Sequence, residues 1–470
     1  MKKSKMLALG MAAAMTASVF AGCATSSTST PSSSGSPADT SASSESADAK
    51  QGDTLRIYAW NTEFKDRLSA YYPGYDKATD KIGDIQVEWV ITPNDNNAYQ
   101  NKLDADLLQQ DSTDEKIDIF LIEADYALKY VDTDYSLDVV NDIGLTEDDL
   151  SNQYQYTKDI ASVDGKLKGV TWQATPGLFA YRRSIAKDVL GTDDPDAVQA
   201  ALSDWDKFDA VAEQAYAKGY KMLSGYDDSF RTFSNNIAAP LVNENDEIII
   251  DDNLWRAVDQ TKTYTDKGYN NKTTLWAPEW AADQGPNGKV FGFFYSTWGI
   301  NFTLVGNSLA TPEAEGGKLE VGNGIFGDYA VCQGPQSYYW GGTWICGAKG
   351  TDNLDLVKDI MLKLTCDTDI MKQITVDTQD YTNNVAAMTE LADDPDFGSA
   401  FLGGQNHIKL FADAAPKIDM SNISKYDQGI TEEFRKAFND YYAGTVTKDQ
   451  ATENFYTAIL EKYPNLKRVS

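Results

Sequence analysis

From residue 54 onward, short apolar runs alternate with stretches whose apolar residues recur at helical spacing. Three of the runs predict β-strands, namely TLRIYAW (residues 54–60), IQVEWVI (85–91) and IDIFLI (117–122). Helical spacing follows the first strand at Phe64 and Leu68, and a similar stretch follows the second strand. Because strands that alternate with helices join through right-handed crossovers, the pattern predicts an α/β fold with a largely parallel sheet.

Two capping patterns predict where later helices begin. Ser203 stands three residues before Asp206, and Thr447 stands three residues before Gln450. Apolar residues at helical spacing follow both pairs, which is typical of helices that bury one face against a core. We assign these helices no chemistry.

Polar loops follow each of the three predicted strands. They read WNTE (Trp60–Glu63), TPND (Thr92–Asp95) and EADY (Glu123–Tyr126). In an open α/β sheet, ligands lie beyond the carboxyl ends of the strands, so we expect the three loops to converge on one rim. The alternative is that their Asn, Asp and Pro residues only form turns and helix caps.

Residues 1–22 have the layout of a secretory signal peptide. Lys2, Lys3 and Lys5 precede an apolar stretch over residues 6–20, which is too short for a comfortable membrane span. The small residues before Cys23 resemble a bacterial lipoprotein processing site, where the cysteine is lipidated. An ordinary cleaved signal with an incidental cysteine is the alternative. Lipidation would anchor the mature protein at a membrane without any spanning segment.

Residues 23–52 predict a disordered tether behind that cysteine. Between Ala24 and Lys50, 15 of 27 residues are Ser or Thr, and none is a large apolar residue. The segment therefore has nothing to bury in a core. A flexible coil of this kind would hold a globular body close to a membrane partner.

Composition limits the function of the remaining chain. A hydrophobic content of 42% suits one large or two medium domains with real cores. The formal net charge of −30 disfavours nucleic acid as a partner. Cys332, Cys346 and Cys366 fit neither a zinc site nor a disulfide framework, and we expect free thiols, with a Cys332–Cys346 bridge as the alternative. His407 is the only histidine, so the sequence predicts no histidine-rich metal site.

Four strings together make the chain similar to a known family. They are DIFLIEADYALKYV, DGKLKGVTWQATPGLFAYRRSIAKDVLG, VFGFFYSTWGI and WGGTWICGAKGTDNLDLVKDIMLKL. With the lipoprotein-like leader, their order and spacing resemble the extracellular solute-binding proteins of ABC importers, in the family 1 class that includes maltose-binding and other sugar-binding lipoproteins. The resemblance covers nearly all of residues 54–466.

The resemblance implies a two-lobed, periplasmic-binding-protein-like α/β fold of type II, hinged by crossing strands. It places the crossings near Gly169–Gln173, Trp340–Ile345 and Tyr381–Ala386. Lobe 1 would contain residues 53–171 and 342–383, and lobe 2 would contain residues 172–341 and 384–470. It implies a monomer, lipid-anchored on the outer face of the cell membrane, which closes on a sugar without any cofactor or metal and presents it to ABC permease subunits.

The aromatic content indicates a sugar as the solute. Sugar rings stack their C–H faces on indoles, while their hydroxyls need carboxylates, amides and guanidinium groups. Trp205 and Trp255 lie in helical patterns and are expected in cores. The loop positions and the resemblance give fourteen candidate ligand contacts, and an indole at any of these positions has a packed structural role as its alternative. The candidates are Trp60, Asn61, Asn94, Asp95, Glu123, Asp125, Trp172, Thr175, Arg231, Trp276, Trp298, Trp340, Gly341 and Trp344.

Three other interpretations stay open from the sequence. The same fold could bind a polyamine or a peptide, because acidic loops with aromatic residues also suit a cation. A surface glycoside hydrolase could use Glu123 and Asp125 as acid and base, although two carboxylates on one loop meet the required separation only by accident. A structural adhesin would have no ligand cleft. We predict a binding protein and no catalytic residue.

Overall fold

The computed structural model describes residues 51–469. The predicted signal peptide, the predicted lipidation site at Cys23 and all but the end of the predicted tether lie outside these residues.

Strands in the described residues group into two main sheets and two short pairs. They are β1 (Thr54–Ala59), β2 (Tyr75–Asp76), β3 (Lys81–Ile82), β4 (Ile85–Ile91), β5 (Ile119–Glu123), β6 (Ser162–Val163), β7 (Lys166–Leu167), β8 (Val170–Thr171), β9 (Gly177–Arg182), β10 (Glu247–Ile248), β11 (Gly292–Ser296), β12 (Tyr329–Cys332), β13 (Thr343–Gly347) and β14 (Lys467–Arg468).

Helices surround the sheets. They are α1 (Glu63–Tyr71), α2 (Ala98–Leu107), α3 (Ala127–Val131), α4 (Gln155–Ile160), α5 (Arg183–Leu190), α6 (Pro195–Ala201), α7 (Trp205–Ala217), α8 (Phe230–Ser234), α9 (Asp252–Lys267), α10 (Pro278–Asp283), α11 (Thr297–Gly299), α12 (Val305–Ser308), α13 (Leu354–Met361), α14 (Thr368–Thr378), α15 (Val385–Asp393), α16 (His407–Ala414), α17 (Asp427–Tyr442) and α18 (Lys448–Lys462). Short 3₁₀ turns include Asp95–Asn97 and Ala124–Tyr126, and π-helical turns occupy Ile300–Leu304 and Leu362–Cys366.

Lobe 1 is built on a seven-stranded sheet with the order β2-β3-β4-β1-β5-β13-β8. Its centre is parallel, because β1 pairs with β4 and β5 in the same direction, with Ile57 opposite both Trp89 and Ile119. The predicted strands and their parallel pairing are therefore confirmed. The late strand β13 joins antiparallel to β5, with Trp344 opposite Ile122. A segment from far along the chain thus completes the first sheet.

Lobe 2 contains a smaller antiparallel sheet with the order β11-β9-β12. All residues of its three strands are buried, so both faces of this sheet are covered. Aromatic rings fill the space around it, and Trp205 stacks on Phe233 with ring centroids 4.4 Å apart. The expectation that Trp205 lies in a core is confirmed.

The three segments that the resemblance gives as crossings lie next to one another. Gln173 and Thr382 form an isolated β-bridge, so the first and third crossings lie side by side. Trp340 N–H donates to the Thr175 carbonyl at 3.1 Å, which ties the second crossing to the first. The two main sheets draw their strands from either side of these segments, and the exact lobe boundaries stay a prediction.

The two predicted caps have different outcomes. Thr447 and Gln450 form a reciprocal capping box at the start of α18, as predicted. The cap predicted at Ser203 is wrong, because Asp204 occupies the N-cap position of α7 and accepts from the Lys207 N–H. A carboxylate at the following position provides the same acceptor next to the positive end of the helix.

The cysteines and the histidine have structural surroundings. Cys332, Cys346 and Cys366 are free thiols, as expected. Burial raises the pKa of the Cys332 thiol to about 12, so it is inert at neutral pH. His407 is buried, and its Nε2 lies 2.9 Å from the Gln379 carbonyl oxygen.

Candidate ligand-binding cleft

The lobe 1 side of the cleft is a turn that carries two carboxylates. β5 ends at Glu123, whose carboxylate accepts from the Asp125 N–H at 2.9 Å and so caps the Ala124–Tyr126 turn. Burial raises the pKa of Glu123 to about 8, and the neighbouring charge of Asp125 adds to this effect. Glu123 is therefore largely protonated at neutral pH, whereas Asp125 is held as a carboxylate by its partner from the other lobe.

That partner is Arg231 of α8, which reaches across from lobe 2. Its Nη1 and Nη2 donate to the two Asp125 carboxylate oxygens at 2.8 and 2.6 Å. Burial alone would raise the pKa of Asp125, but the charge and hydrogen bonds of Arg231 outweigh burial and lower it. The guanidinium carbon also lies 5.3 Å from the centroid of the Trp340 ring. A forked ion pair and a cation–π contact thus meet at one point between the lobes.

A second ion pair joins the lobes nearby. Lys425 Nζ lies 2.9 Å from an Asp132 carboxylate oxygen, and both side chains are substantially exposed. Because solvent screens such a pair, it stabilises the contact between the lobes by about 0–1 kcal/mol, which is less than the Asp125–Arg231 pair contributes. Both pairs hold the lobes together in the conformation described.

Beside the cleft, next to Arg231, lobe 2 carries a cluster of indoles that is not part of the cleft lining. The Trp276 ring lies 6.3 Å from Trp298 at an interplanar angle of 24°, and Trp340 lies 5.4 Å from Trp298 in an edge arrangement. Trp298 Nε1 donates to the Trp340 carbonyl at 2.7 Å, which fixes the two rings relative to each other. Trp340 also stacks on Tyr295, with ring centroids 5.6 Å apart and an interplanar angle of 6°.

Trp276 is the exposed member of this cluster. Its side chain is 56% exposed, and its backbone has a φ of +68°, a conformation that bulky residues rarely adopt. Pro278 at the first position of α10 fixes the start of the next helix and so holds Trp276 in the preceding loop. Backbone strain of this kind costs about 1–3 kcal/mol and tends to occur at binding sites.

Gly341 and Gly342 allow the second crossing to pass close to these rings. Gly341 has a φ of +75°, and a Cβ at this position would lie 2.9 Å from Trp298 Nε1. Only glycine fits this approach without displacing the indole. Gly341 therefore shapes the cleft through its backbone, and its carbonyl accepts from Thr175 Oγ1 at 2.8 Å.

Three predicted contacts are corrected by burial. Trp172 is 1% exposed and stacks on Phe64 with centroids 5.3 Å apart, and Trp344 is 1% exposed and donates to the Thr157 carbonyl at 2.9 Å. Thr175 is also 1% exposed and bonds to Gly341. A side chain without accessible surface has no face to offer a ligand in this conformation. The two indoles pack the core of lobe 1, and Thr175 ties two crossings together.

The remaining predicted contacts lie on the lobe 1 rim. Trp60 is half-buried and packs edge-on against Tyr99 and Tyr126, at 5.5 and 6.3 Å. Asn61 is exposed, and its Oδ1 accepts from the Glu63 N–H at 3.0 Å, which is the turn role considered as the alternative. Asn94 is half-buried with an unpartnered Oδ1, and Asp95 is exposed. The rings of Trp60 and Tyr126 bring the first and third loops together.

Both lobes line the cleft, which has about 860 Å³ of space including its open mouth. Sequence reasoning missed several of its lining residues, namely Tyr126, Asn235, Tyr339, Asp427 and Arg435. Tyr126 lies in the EADY loop, so the sequence pattern could have identified it as a residue of the cleft. Burial raises the pKa of Asp427 to about 6, although Ser424 donates to both of its oxygens. Nothing in the pattern of α17 marks Arg435 as a cleft residue.

A polar network spans the crossings beside the cleft. Gln173 Nε2 donates to Glu63 Oε1 at 2.9 Å and to Asp380 Oδ2 at 3.1 Å, and Thr297 Oγ1 donates to the other Asp380 oxygen. Burial raises the pKa of Glu63 to about 7, and the charge of Asp380 adds to the shift. The network connects α1 of lobe 1 to α11 of lobe 2 through two crossings.

Two sheets, three crossing segments and a cleft lined from both sides define a two-lobed binding protein. The family model for bacterial extracellular solute-binding proteins matches residues 74–401, which is more than half of the chain. The chain therefore belongs to this family of extracellular solute-binding proteins. No curated protein matches the chain.

Solved structures with the same fold are similar over nearly their whole length. One is an extracellular solute-binding protein of family 1, with a TM-score of 0.68 and 16% identity over 87% of this chain and 99% of that chain. The ABC transporter associated binding protein from B. animalis subsp. lactis Bl-04, in complex with β-1,6-galactobiose, has a TM-score of 0.64 and 15% identity. The match covers 89% of this chain and 100% of that chain. The sugar-binding protein MalE from Xanthomonas citri has a TM-score of 0.63 and 15% identity over 87% of this chain and 98% of that chain. The predicted two-lobed α/β fold is confirmed.

Two features are absent from residues 51–469. No helix there is both long and apolar enough to cross a membrane. In the same residues, no group of three or more His, Cys, Asp or Glu side chains is arranged to hold a metal ion.

Proposed function

We propose that this protein captures a sugar or oligosaccharide in the cleft between its lobes and delivers it to the permease of an ABC importer. The observation that carries the proposal is the exposed, backbone-strained Trp276 beside Trp298, in an indole cluster whose Trp340 ring lies against Arg231, the partner of Asp125. An indole face next to carboxylate and guanidinium groups suits a sugar ring with hydroxyls at its edge. The fold neighbours solved with β-1,6-galactobiose and maltose support this class of ligand.

Closure of the lobes supplies the signal to the permease. A ligand that touches both lobes favours the closed state by its differential affinity for that state. The forked pair between Asp125 and Arg231 already joins the two walls, so a ligand in this cleft adds to an existing closed arrangement. The permease then distinguishes the closed form from the open one.

The sequence supports a lipid-anchored location for this function. A signal peptide over residues 1–22, lipidation at Cys23 and the Ser/Thr-rich tether would keep a monomeric receptor on the outer face of the cell membrane. Attachment raises the effective concentration of the receptor at its permease. Growth in labelled palmitate followed by purification tests this, and the Cys23→Ala variant is expected to lose the label.

Binding without catalysis fits the carboxylates better than a hydrolase does. Asp125 is committed to Arg231, and Glu123 accepts from the backbone of the same turn. A hydrolase needs two carboxyl groups facing each other across the scissile bond. Incubation with oligosaccharides is therefore expected to yield no new reducing ends, and any turnover would count against a pure binding protein.

A thermal-shift screen tests the ligand class. The panel contains maltose, β-1,6-galactobiose, lacto-N-biose and longer oligosaccharides, with spermidine and short peptides as competitors. A ligand at 100 times its Kd adds about 2.7 kcal/mol to the free energy of unfolding. We expect a stabilising shift in melting temperature with at least one sugar. A shift with spermidine or peptides and with no sugar would show that the ligand belongs to another class of solute.

A further inference from the structure

We propose that Glu63 and Asp380 share one proton at the hinge and that closure of the two lobes needs this proton. The cleft then holds its ligand more tightly in a mildly acidic medium than in an alkaline one. The inference concerns what regulates closure, and its binding test rests on the proposed function. Glu63 lies in α1 of lobe 1, and Asp380 directly precedes the third crossing.

A single amide nitrogen brings the two carboxyl groups together. Gln173 Nε2 donates to Glu63 Oε1 at 2.9 Å and to Asp380 Oδ2 at 3.1 Å. Asp380 is buried and Glu63 is half-buried. Two carboxylates around one nitrogen repel each other where water screens them poorly. Such a pair therefore keeps a proton that an isolated carboxyl group would release.

The hydrogen bonds place the shared proton on Glu63. Asp380 accepts from three donors, because Thr297 Oγ1 and the Tyr381 N–H both donate to its other oxygen. Among the described residues, the Glu63 carboxyl group accepts a hydrogen bond from Gln173 alone. Donors favour the ionised form of a carboxyl group, so Asp380 carries the charge of the pair. Burial raises the pKa of Glu63 to about 7, and the charge of Asp380 adds to the shift.

Lobe 2 holds the segment that carries Asp380. Thr297 of α11 donates to its carboxylate, and Asn301 Nδ2 donates to the Gln379 carbonyl at 3.0 Å. His407 Nε2 of α16 lies 2.9 Å from the same carbonyl oxygen. Asp380 therefore moves with lobe 2, whereas α1 moves with lobe 1. A rotation of the lobes about the crossings changes the separation of the two carboxyl groups.

The charges near Glu63 on its own helix do not change on closure. Arg67 Nη2 lies 3.7 Å from Glu63 Oε1 and favours the ionised form, and the charge of Asp66 opposes ionisation. Both residues belong to α1, so they keep their distance from Glu63 in the open and the closed form. The distance to Asp380 is the one that depends on the position of the lobes.

Other titratable groups lie on the elements around the pair. Those on the elements that pack against α1 are Tyr75, Asp76, Lys363, Cys366, Asp369, Lys372 and Asp377. Those of α16 are His407, Lys409 and Asp413. In residues 51–469, none of these groups donates to or accepts from the side chains of Glu63 and Asp380. Burial raises the pKa of Tyr381 and of its partner Tyr154 and lowers the pKa of His407, so all three are neutral at neutral pH.

The direction of the pH effect follows from this geometry. In the closed form the pKa of Glu63 is about 7, whereas separation from Asp380 returns the pKa toward its usual value of 4.5. Closure therefore takes up a proton. The affinity is full below about pH 4.5, falls as the pH rises to about 7 and is constant above that value. Each pKa unit of difference is about a factor of ten in affinity, and the Glu63 side chain is 30% exposed, so we expect roughly 3- to 10-fold weaker binding at pH 8 than at pH 5.

Titration calorimetry between pH 5 and pH 8, on the full chain with the best-binding sugar of the panel above, tests the inference. The cleft has its own carboxyl groups with a raised pKa, Glu123 and Asp427, so the quantity to compare is the pH dependence with and without Glu63. Glu63→Gln keeps an acceptor for the shared amide but does not ionise, so its affinity should lose the 3- to 10-fold decrease. Asp380→Asn should lose the same part of the decrease. Glu115→Gln, which changes an exposed glutamate outside the network, is the matched control and should behave like the unsubstituted protein.

Small-angle scattering without ligand separates this inference from the proposed function. The unsubstituted protein should have a larger radius of gyration at pH 8 than at pH 5, and Glu63→Gln should show a smaller difference. This measurement decides the inference even if no sugar binds.

Two outcomes overturn the inference while the proposed function stands. One is a pH dependence of affinity and radius of gyration in Glu63→Gln that equals that of the unsubstituted protein. The other is a full pH dependence in Asp380→Asn, which would show that burial alone acts on Glu63. If Asp380→Asn does not fold, as judged by circular dichroism, the comparison of Glu63→Gln with Glu115→Gln decides.

Discussion

The carboxylate turn of lobe 1 and the indole cluster of lobe 2 are built in different ways. The lobe 1 wall of the cleft is a single turn at the end of β5, where Glu123 and Asp125 follow directly from a buried parallel strand. The indole cluster beside the cleft brings together Trp276, Trp298 and Trp340 from three distant segments. The turn is thus local in sequence and mainly polar, and the cluster is assembled by the fold and aromatic. The contrast suggests that lobe 1 orients the ligand and lobe 2 provides most of the binding surface.

Two tryptophans extend this comparison, because Trp344 of lobe 1 is buried while Trp276 of lobe 2 is exposed. Trp344→Ala should destabilise the protein by about 3–5 kcal/mol, since it removes a fully buried indole from the first sheet and leaves a cavity. Urea unfolding followed by circular dichroism measures this change. Normal stability of Trp344→Ala would contradict its assignment to the core.

Trp276→Ala should show the reverse pattern. We expect a loss of about 2 kcal/mol or more in sugar binding, as for an aromatic hot spot, with little change in the urea midpoint. Calorimetry with the sugar identified in the thermal-shift screen measures the first quantity. If binding is unchanged while stability falls, the exposed indole is a structural residue and the two walls do not differ in this way.

Breaking the connection between the walls should open the protein. Asp125→Asn leaves Arg231 with a neutral partner, and we expect about 1 kcal/mol less stabilisation of the closed form. Small-angle scattering without ligand should then give a larger radius of gyration. Lys425→Gln, which breaks the more exposed pair with Asp132, is the matched control and should have the smaller effect. Equal increases in the radius of gyration for the two variants would indicate that the forked geometry of the Asp125–Arg231 pair adds nothing to the stability of the closed form.

The pH dependence tests the carboxyl group that is not paired across the cleft. Glu123 has a pKa raised from 4.5 to about 8 in the folded state. Its contribution to stability is therefore fully present below about pH 4.5 and is lost as the pH rises to about 8. Glu123→Gln should make the free energy of unfolding depend slightly less on pH between about pH 4.5 and pH 8. Urea unfolding midpoints measured across this pH range test the difference. An identical slope in both proteins would show that Glu123 titrates normally.

The predictable part of the structure follows local patterns. Strand β4 has the predicted bounds of residues 85–91, because its apolar run ends at a proline-containing loop. Trp172 and Trp344 were assigned to the wrong environment for a physical reason. Every residue of β13 is buried, so no alternation along the strand tells which side of Trp344 faces a cleft. An indole near a crossing looks the same in sequence whether it packs inward or outward.

The contacts between the lobes lay beyond sequence reasoning. Arg231 was predicted as a ligand contact, and the fold places it on Asp125, 106 positions away. Arg435 gave no signal, because a basic residue on an amphipathic helix usually faces solvent. Its position at the cleft depends on how α17 packs against the turn after β5, which only the tertiary structure determines.

Calorimetric titration of the unsubstituted protein and Trp276→Ala, side by side with the same oligosaccharide, tests the central claim most directly. The account predicts saturable binding with one site per chain for the unsubstituted protein and a Kd at least about 30-fold higher for the variant. The absence of sugar binding, or equal affinity in the two proteins, would contradict the account.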